Sequence, residues 1–102
     1  MSVRLIFKFL FLKMKVIFFS AVWCPACIIM QSRWKKIEAE LPWLVTEQLD
    51  YDNNKEAVGR YGIGKDIPVF IFLDEAGDEF ARKQGEIDRK DLIKFLEENK
   101  DK

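Results

Sequence analysis

The stretch FFSAVWCPACIIMQ, residues 18–31, contains both cysteines of the chain and lies where a strongly apolar run gives way to a mixed pattern. Upstream, KVIFFS at 15–20 is a short apolar run typical of a strand buried on both faces. Downstream, apolar residues recur at intervals of three and four, as on one face of a helix; they are Cys27, Met30, Trp34, Ile37 and Leu41. Pro42 is expected to end this helix. The cysteine pair therefore lies where a strand ends and a helix begins.

The rest of the chain predicts an alternation of short strands and helices. In chain order these are a strand at 44–52, a short helix at about 55–60, a buried strand at 67–73, an edge strand at about 79–84 and a last helix after Asp88. Asn54, with its two predecessors, is expected to cap the short helix. Asp88, with Asp91, is expected to cap the last one. A crossover between the first two strands and a hairpin at DEAGD predict an α/β sandwich with one mixed sheet and helices on both faces.

Size and charge restrict the possible functions. A chain of 102 residues with 49% hydrophobic content can build one core of ordinary size, so we expect a single domain over 1–102. Seventeen basic and seventeen acidic residues give a formal net charge of zero, and neither sign is confined to one half of the chain. This distribution does not predict the excess of positive charge by which proteins bind nucleic acid.

The first residues are apolar but do not predict a membrane anchor. Four cations interrupt the N-terminal run and leave no uncharged segment of about 18 residues; they are Arg4, Lys8, Lys13 and Lys15. Cleavage after Ala21 would remove the strand that leads to the cysteines, so a signal peptide is not expected. We predict a cytoplasmic protein with no membrane partner. Alternation over 3–12 favours a further strand, although two of its cations also fit one face of a helix.

The positions of the two cysteines suit thiol chemistry. Unpaired N–H groups and the positive end of the helix dipole stabilise a thiolate at the start of a helix, where Cys24 is predicted. Cys27, one turn later, points toward the core. This asymmetry suits a two-step exchange in which Cys24 attacks a substrate disulfide and Cys27 then resolves the mixed disulfide. Pro25 fits the first helical position, and the small Ala26 keeps the turn open to a partner.

A metal site and an inert buried pair are the alternatives for these cysteines. Zinc normally takes four ligands, and the chain has no histidine and no third cysteine. We therefore expect neither a metal nor another cofactor. An inert pair remains open on the spacing alone.

WCPAC at 23–27, together with the segment at 49–87, resembles the thioredoxin superfamily over about residues 15–99. The more specific part is the order of residues in the second segment, which are Tyr61, Gly62, Ile63, Ile67, Pro68, Gly77 and Gly85. The resemblance implies a three-layer thioredoxin-like sandwich and a thiol–disulfide oxidoreductase acting on protein substrates. It also implies that Pro68 is a cis-proline beside the cysteines. The backbone of Ile67 would then bind an extended substrate segment, and Trp23 would frame that surface.

The chain departs from the family pattern in several places. Family members usually carry a buried aspartate six residues before the first cysteine and a lysine on the neighbouring strand, where this chain has Phe18 and Gln48. Cys27 therefore lacks the usual proton acceptor, with Glu47 a weak substitute, and we expect slow resolution. Ser32 replaces a helix proline, which predicts a straighter helix. The short N-terminal part implies that this layer is reduced or rebuilt.

The resemblance also implies partners and leaves rivals open. We expect protein disulfide substrates, a thioredoxin-reductase-type electron donor, no nucleic-acid partner and a monomer. A glutaredoxin-like enzyme that uses glutathione is one alternative, although Ala26 and the Gly85–Glu86 pair differ from its usual pattern. A non-catalytic module that keeps the fold for binding is the other. Trp23 as simple core and Pro68 as an ordinary proline at a strand entry are the corresponding structural alternatives.

Overall fold

The computed structural model describes residues 14–102, which form four strands and three helices. These are β1 (Lys15–Ser20), α1 (Pro25–Glu40), β2 (Val45–Asp50), α2 (Lys55–Arg60), β3 (Val69–Leu73), β4 (Glu79–Gln84) and α3 (Arg89–Asn99). The predicted order of elements is confirmed, with β2 and β3 each two to three residues shorter than expected. The expectations for 3–12 and for the N-terminal layer lie outside the described residues.

The strands form one mixed sheet in the order β2-β1-β3-β4. β1 and β2 are parallel, and α1 makes the crossover between them. β3 is antiparallel to β1 and also to β4, to which the predicted hairpin joins it. The parallel pairing and the hairpin were both predicted. The register places Phe18 opposite Gln48, so two of the positions that depart from the family pattern are neighbours in the sheet.

Both faces of the sheet are buried, which explains why the sequence of β1 is apolar without interruption. Val16 and Phe18 face α1 and α3, in a core cluster that also contains Trp34, Phe70 and Leu92. The alternate residues of β1 face a second cluster on the other side of the sheet; this cluster contains Ile17, Phe19, Cys24, Cys27, Ile67 and Ile71. Residues of α2 pack against that second cluster. The predicted sandwich with helices on both faces is therefore confirmed.

Trp34 joins α1 to the sheet. Its side chain is fully buried, and its ring lies 4.9 Å from that of Phe70 and 6.1 Å from that of Phe18, centroid to centroid. The indole N–H donates a hydrogen bond of 2.9 Å to Oγ1 of Thr46 on β2. This bond satisfies the polar atom that burial of a tryptophan takes away from water. One side chain thus holds the helix against three of the four strands.

The predicted helix caps are only partly correct. Asn54 and Asp88 occupy the N-cap positions of α2 and α3, but neither side chain makes a capping hydrogen bond. The amide of Asn54 instead donates to the carbonyl oxygen of Asp50, 3.0 Å away, in the turn after β2. α2 and α3 carry an acidic residue in the first turn, Glu56 and Asp91 respectively. Their negative charges interact favourably with the positive end of the helix dipole.

Two glycines provide a matched test of the backbone. Gly85 has φ +85°, and its N–H donates 2.8 Å to the carbonyl of Pro68, whereas Gly59 lies within α2. A Cβ would meet no atom within 4 Å at either position. The effect of alanine on stability therefore depends only on the backbone conformation at each glycine. We expect Gly85→Ala to lower the free energy of unfolding by about 1–2 kcal/mol. Gly59→Ala should raise it by about 0.5–1 kcal/mol.

Urea unfolding of the two variants and the parent protein measures both changes under the same conditions. Changes of the same sign in the two variants would contradict the assignment of the left-handed conformation to Gly85.

Candidate active site

Cys24 is the N-cap residue of α1. Its backbone is extended, with φ −102° and ψ 109°, and Pro25 follows at the first helical position. The Sγ atom accepts a hydrogen bond of 3.2 Å from the backbone N–H of Cys27, so the thiol itself caps the helix. Cys24 also donates from its S–H to the carbonyl oxygen of Ile67, at 3.5 Å. The first sulfur is therefore held between the helix start and the loop before β3.

Cys24 is less open than the sequence led us to expect. Only 6% of the residue is exposed, and Cys27 is completely buried. Cys24 packs in the second core cluster, which also contains Ile63 and Ile67 from the segment before β3. Cys24 is the more exposed of the two cysteines, as predicted, but the difference is small. Packing against segments distant in the sequence buries most of Cys24 as well.

The pKa of the Cys27 thiol is raised to about 12, mainly because the thiol is buried. Its interaction with the Cys24 sulfur adds to this rise, and a backbone hydrogen bond at Ala21 opposes it. No carboxylate contributes to this shift. A thiol whose pKa is raised in this way is neutral at pH 7. Both cysteines are free thiols in the structure.

The position of the usual proton acceptor is filled by an aromatic core. Phe18 is fully buried and stacks on Phe70 with ring centroids 4.4 Å apart. Glu47, named from the sequence as a weak substitute, lies on the edge strand β2 in an exposed ion pair of 3.0 Å with Lys15. The structure therefore gives no support to Glu47 as the base for Cys27.

The loop between α2 and β3 approaches the cysteines from the other side. The Ile67–Pro68 peptide bond is cis. The carbonyl of Ile67 accepts from Cys24, and the carbonyl of Pro68 accepts from the N–H of Gly85 at the end of β4. The loop is thus joined to the start of α1 and to the end of the edge strand.

Trp23 lies on the surface beside Cys24, with 54% of the residue exposed. The alternative that it is simple core is therefore wrong. Its indole N–H donates a hydrogen bond of 2.8 Å to Oδ2 of Asp52. Its ring packs edge-on against that of Tyr51, with ring centroids 6.0 Å apart. The sequence did not indicate Tyr51 and Asp52 as part of the site, because they follow the cysteine pair by 24 residues or more and only the β1–β2 pairing brings them there.

Pro25 and Ala26 form the remaining surface of the site. Pro25 is exposed and Ala26 is half-buried, so neither blocks the approach to the helix start. Within 14–102, no three histidine, cysteine or acidic side chains come together as a group that could hold a metal ion. The helices in this range are all too short or too polar to cross a membrane.

Comparison with known proteins places this arrangement in a family. The family model for thioredoxin matches residues 10–98. Thioredoxin H7 of Arabidopsis thaliana is 31% identical over 88 residues, and the match spans 86% of this chain but 66% of that relative, just under two thirds of its length. A thioredoxin of Chlamydia muridarum is 30% identical over 78 residues, which are 76% of this chain and 74% of the relative.

A solved structure shows the same likeness. The X-ray structure of Fasciola hepatica thioredoxin superposes with a TM-score of 0.79 at 25% identity, covering 97% of this chain and 91% of that chain. A matching family model over most of the chain, the thioredoxin-like mixed sheet and two cysteines three residues apart lead to one assignment: the chain belongs to the thioredoxin family.

Proposed function

We propose that the protein is a thiol–disulfide oxidoreductase that reduces disulfides of protein substrates through Cys24 and Cys27. The observation that carries this proposal is the position of the Cys24 sulfur at the start of α1, 3.2 Å from the backbone N–H of Cys27. The thiolate is the reactive form in disulfide exchange, and the start of a helix, with a backbone N–H directed at sulfur, is a setting in which reactive cysteines are found.

In the first step, the Cys24 thiolate attacks one sulfur of the substrate disulfide. A bond forms between Sγ of Cys24 and that sulfur, the substrate S–S bond breaks, and the second substrate sulfur leaves as a thiolate. When Cys24 loses its proton, the S–H bond to the carbonyl of Ile67 is lost and the N–H bond from Cys27 remains. The site therefore retains the interaction that stabilises negative charge.

In the second step, Cys27 loses its proton and attacks Sγ of Cys24. The Cys24–Cys27 disulfide forms, and the first substrate sulfur leaves as a thiolate, which gains a proton and becomes a thiol. No carboxylate affects the pKa of Cys27. The departing thiolate or water therefore takes the proton, and we expect this step to be slow.

The surface around Cys24 suits an extended substrate segment. In our proposal, the backbone of Ile67 beside the cis bond to Pro68 pairs with that segment as an added strand. Trp23, Pro25 and Ala26 frame it on the helix side, and the bond from Trp23 to Asp52 fixes the indole in its exposed position.

We place the protein in the cytoplasm, where thiols are kept reduced. There a thioredoxin-reductase-type donor would return the disulfide to the dithiol and complete the cycle. This part of the proposal rests on the family assignment and on a chain with just two cysteines.

Trapping tests the roles of the two cysteines. In Cys27→Ser the resolving sulfur is gone, so mixed disulfides on Cys24 should accumulate and be identified by mass spectrometry after non-reducing electrophoresis. The Cys24→Ser/Cys27→Ser double variant is the matched control and should trap nothing. Recovery of the same partners with the double variant would show a binding module without redox turnover.

The pH dependence of resolution tests the environment of Cys27. With 2,2′-dithiodipyridine, attack by Cys24 releases one thiopyridone and resolution by Cys27 releases a second. Burial, the largest cause of the pKa near 12, persists in the mixed disulfide, so the thiolate fraction of Cys27 rises with pH. We expect the second phase to accelerate about tenfold per pH unit from about pH 7 to 9, because each unit below the pKa is one decade of thiolate.

Stopped-flow absorbance of thiopyridone follows both phases, and Cys27→Ser should retain the first and lose the second. A plateau of the second phase below about pH 8 would reveal a base that the structure does not show near Cys27.

A further inference from the structure

The most exposed large apolar side chains of the described residues flank the cysteines along the chain, within residues 22–29. They are Val22, Trp23, Ile28 and Ile29, with 84, 54, 58 and 45% of each residue exposed. Val22 and Trp23 precede Cys24, whereas the two isoleucines follow on the outer side of the first turns of α1. Apolar groups concentrated in one place on a surface mark an interaction site, while single ones do not.

The two isoleucines open into a groove between α1 and the start of α3. This α1–α3 groove has a volume of about 430 Å³ and is lined by Ile28, Ile29, Ser32, Arg33, Lys36 and Arg89. Residues three or four apart lie on one face of a helix, so the lining of α1 runs along the helix axis. The end near Cys24 is apolar, and the far end carries three cations. No described acidic residue lines the groove.

The cations are held in different ways. The guanidinium of Arg33 donates a hydrogen bond of 2.7 Å to the carbonyl oxygen of Ile87 and lies 3.6 Å from the carboxylate of Glu86. These contacts join the Arg33 side chain to the loop before α3. Arg89 pairs with Glu40 at the end of α1. Lys36 makes no ion pair with another described residue and is exposed. An arginine held by a backbone carbonyl and a lysine without an ion pair to any described residue together favour an anionic partner.

Distance along the helix indicates the size of that partner. Arg33 and Lys36 are nine and twelve residues after Cys24, or about 14 and 18 Å at 1.5 Å per residue. An extended peptide covers about 3.3 Å per residue, so it needs about four to six residues to reach from Cys24 to these cations. A small disulfide does not span this distance, whereas a protein segment does.

We propose that the α1–α3 groove binds a segment of the protein substrate with apolar residues beside the reactive cysteine and an acidic residue about four to six positions away. The inference rests on the proposed function and adds to it the chemical class of the substrate. It places this segment along α1, on the side of Cys24 away from Ile67.

Activated peptides test this assignment. Each synthetic peptide carries one cysteine as its 2-thiopyridyl disulfide, leucines beside it, and either two glutamates or two lysines four to six positions away, on the N-terminal or the C-terminal side. Attack by Cys24 forms the mixed disulfide, breaks the thiopyridyl bond and releases thiopyridone, whose absorbance gives the rate. In the Cys27→Ser background, we expect the better glutamate peptide to react about tenfold faster than its lysine counterpart at low salt. The difference should shrink as salt screens the charges.

Charge variants locate the effect. Lys36→Glu should remove most of the preference for glutamate peptides. Lys35→Glu makes the same change in net charge on an exposed neighbour outside the groove lining, and it should leave the preference intact. Ile29→Gln should slow the leucine peptides but not peptides with serine in place of leucine.

A neutral disulfide separates this proposal from the one on which it rests. All variants should react equally fast with 2,2′-dithiodipyridine, which is too small to reach the cations. If they react with it but the peptides do not differ, or if Lys35→Glu and Lys36→Glu act alike, the groove proposal is wrong and the redox proposal stands. Lys36-dependent binding to anionic lipid vesicles without a peptide preference would also overturn it. Failure of Cys24 to react with the neutral disulfide would overturn the redox proposal itself.

Discussion

The hydrogen bond from the N–H of Cys27 to Sγ of Cys24 connects the fold to the candidate chemistry. The same contact caps α1 and sets the sulfur at the positive end of the helix. It exists because β1 ends one short turn earlier and because Pro25, which has no N–H to leave unpaired, begins the helix. The cap residue of an ordinary helix would be an oxygen-bearing side chain. Here a thiol takes that position, so the contact that caps the helix also positions the sulfur that we propose to be reactive.

The second sulfur is governed by the opposite constraint. Cys27 is completely buried, and its high pKa follows from that burial more than from any other cause. On the other side of β1, Phe18 stacks with Phe70 where the family usually has an aspartate. A buried aspartate would need desolvation or a hydrogen-bond partner, whereas the aromatic pair contributes favourable packing. This chain therefore has a more apolar core where other members usually keep a proton acceptor. In our proposal, core stability favours the aromatic side chain at this position, whereas fast removal of the Cys27 proton would favour a carboxylate.

Local sequence patterns predicted most of the fold because strands, helices and turns depend largely on interactions between residues that are close along the chain. The apolar run of β1, the three-and-four spacing of α1 and the turn residues of DEAGD each depend on neighbours along the chain, and the structure confirms them. The burial of Cys24 and the contact of Trp23 with Asp52 depend instead on which distant segments meet, so the sequence did not show them. The caps failed in a similar way, because Asn54 is used by the turn after β2 rather than by its helix.

The narrow access to Cys24 changes what makes a good substrate. With 6% of the residue exposed and the Ile67 carbonyl bonded to its sulfur, a disulfide must be presented closely and in one orientation to be attacked. Productive attack needs the reacting atoms aligned, and contacts away from the sulfurs supply the binding energy for that alignment. In our proposal the surface offers such contacts on both sides of Cys24, at the backbone of Ile67 and along α1 from Ile28 to Lys36. A partner that engages only one side remains free to rotate about the sulfur. A partner that engages both is held in line, so in our proposal selectivity comes from the protein surface around a chemically simple pair of thiols.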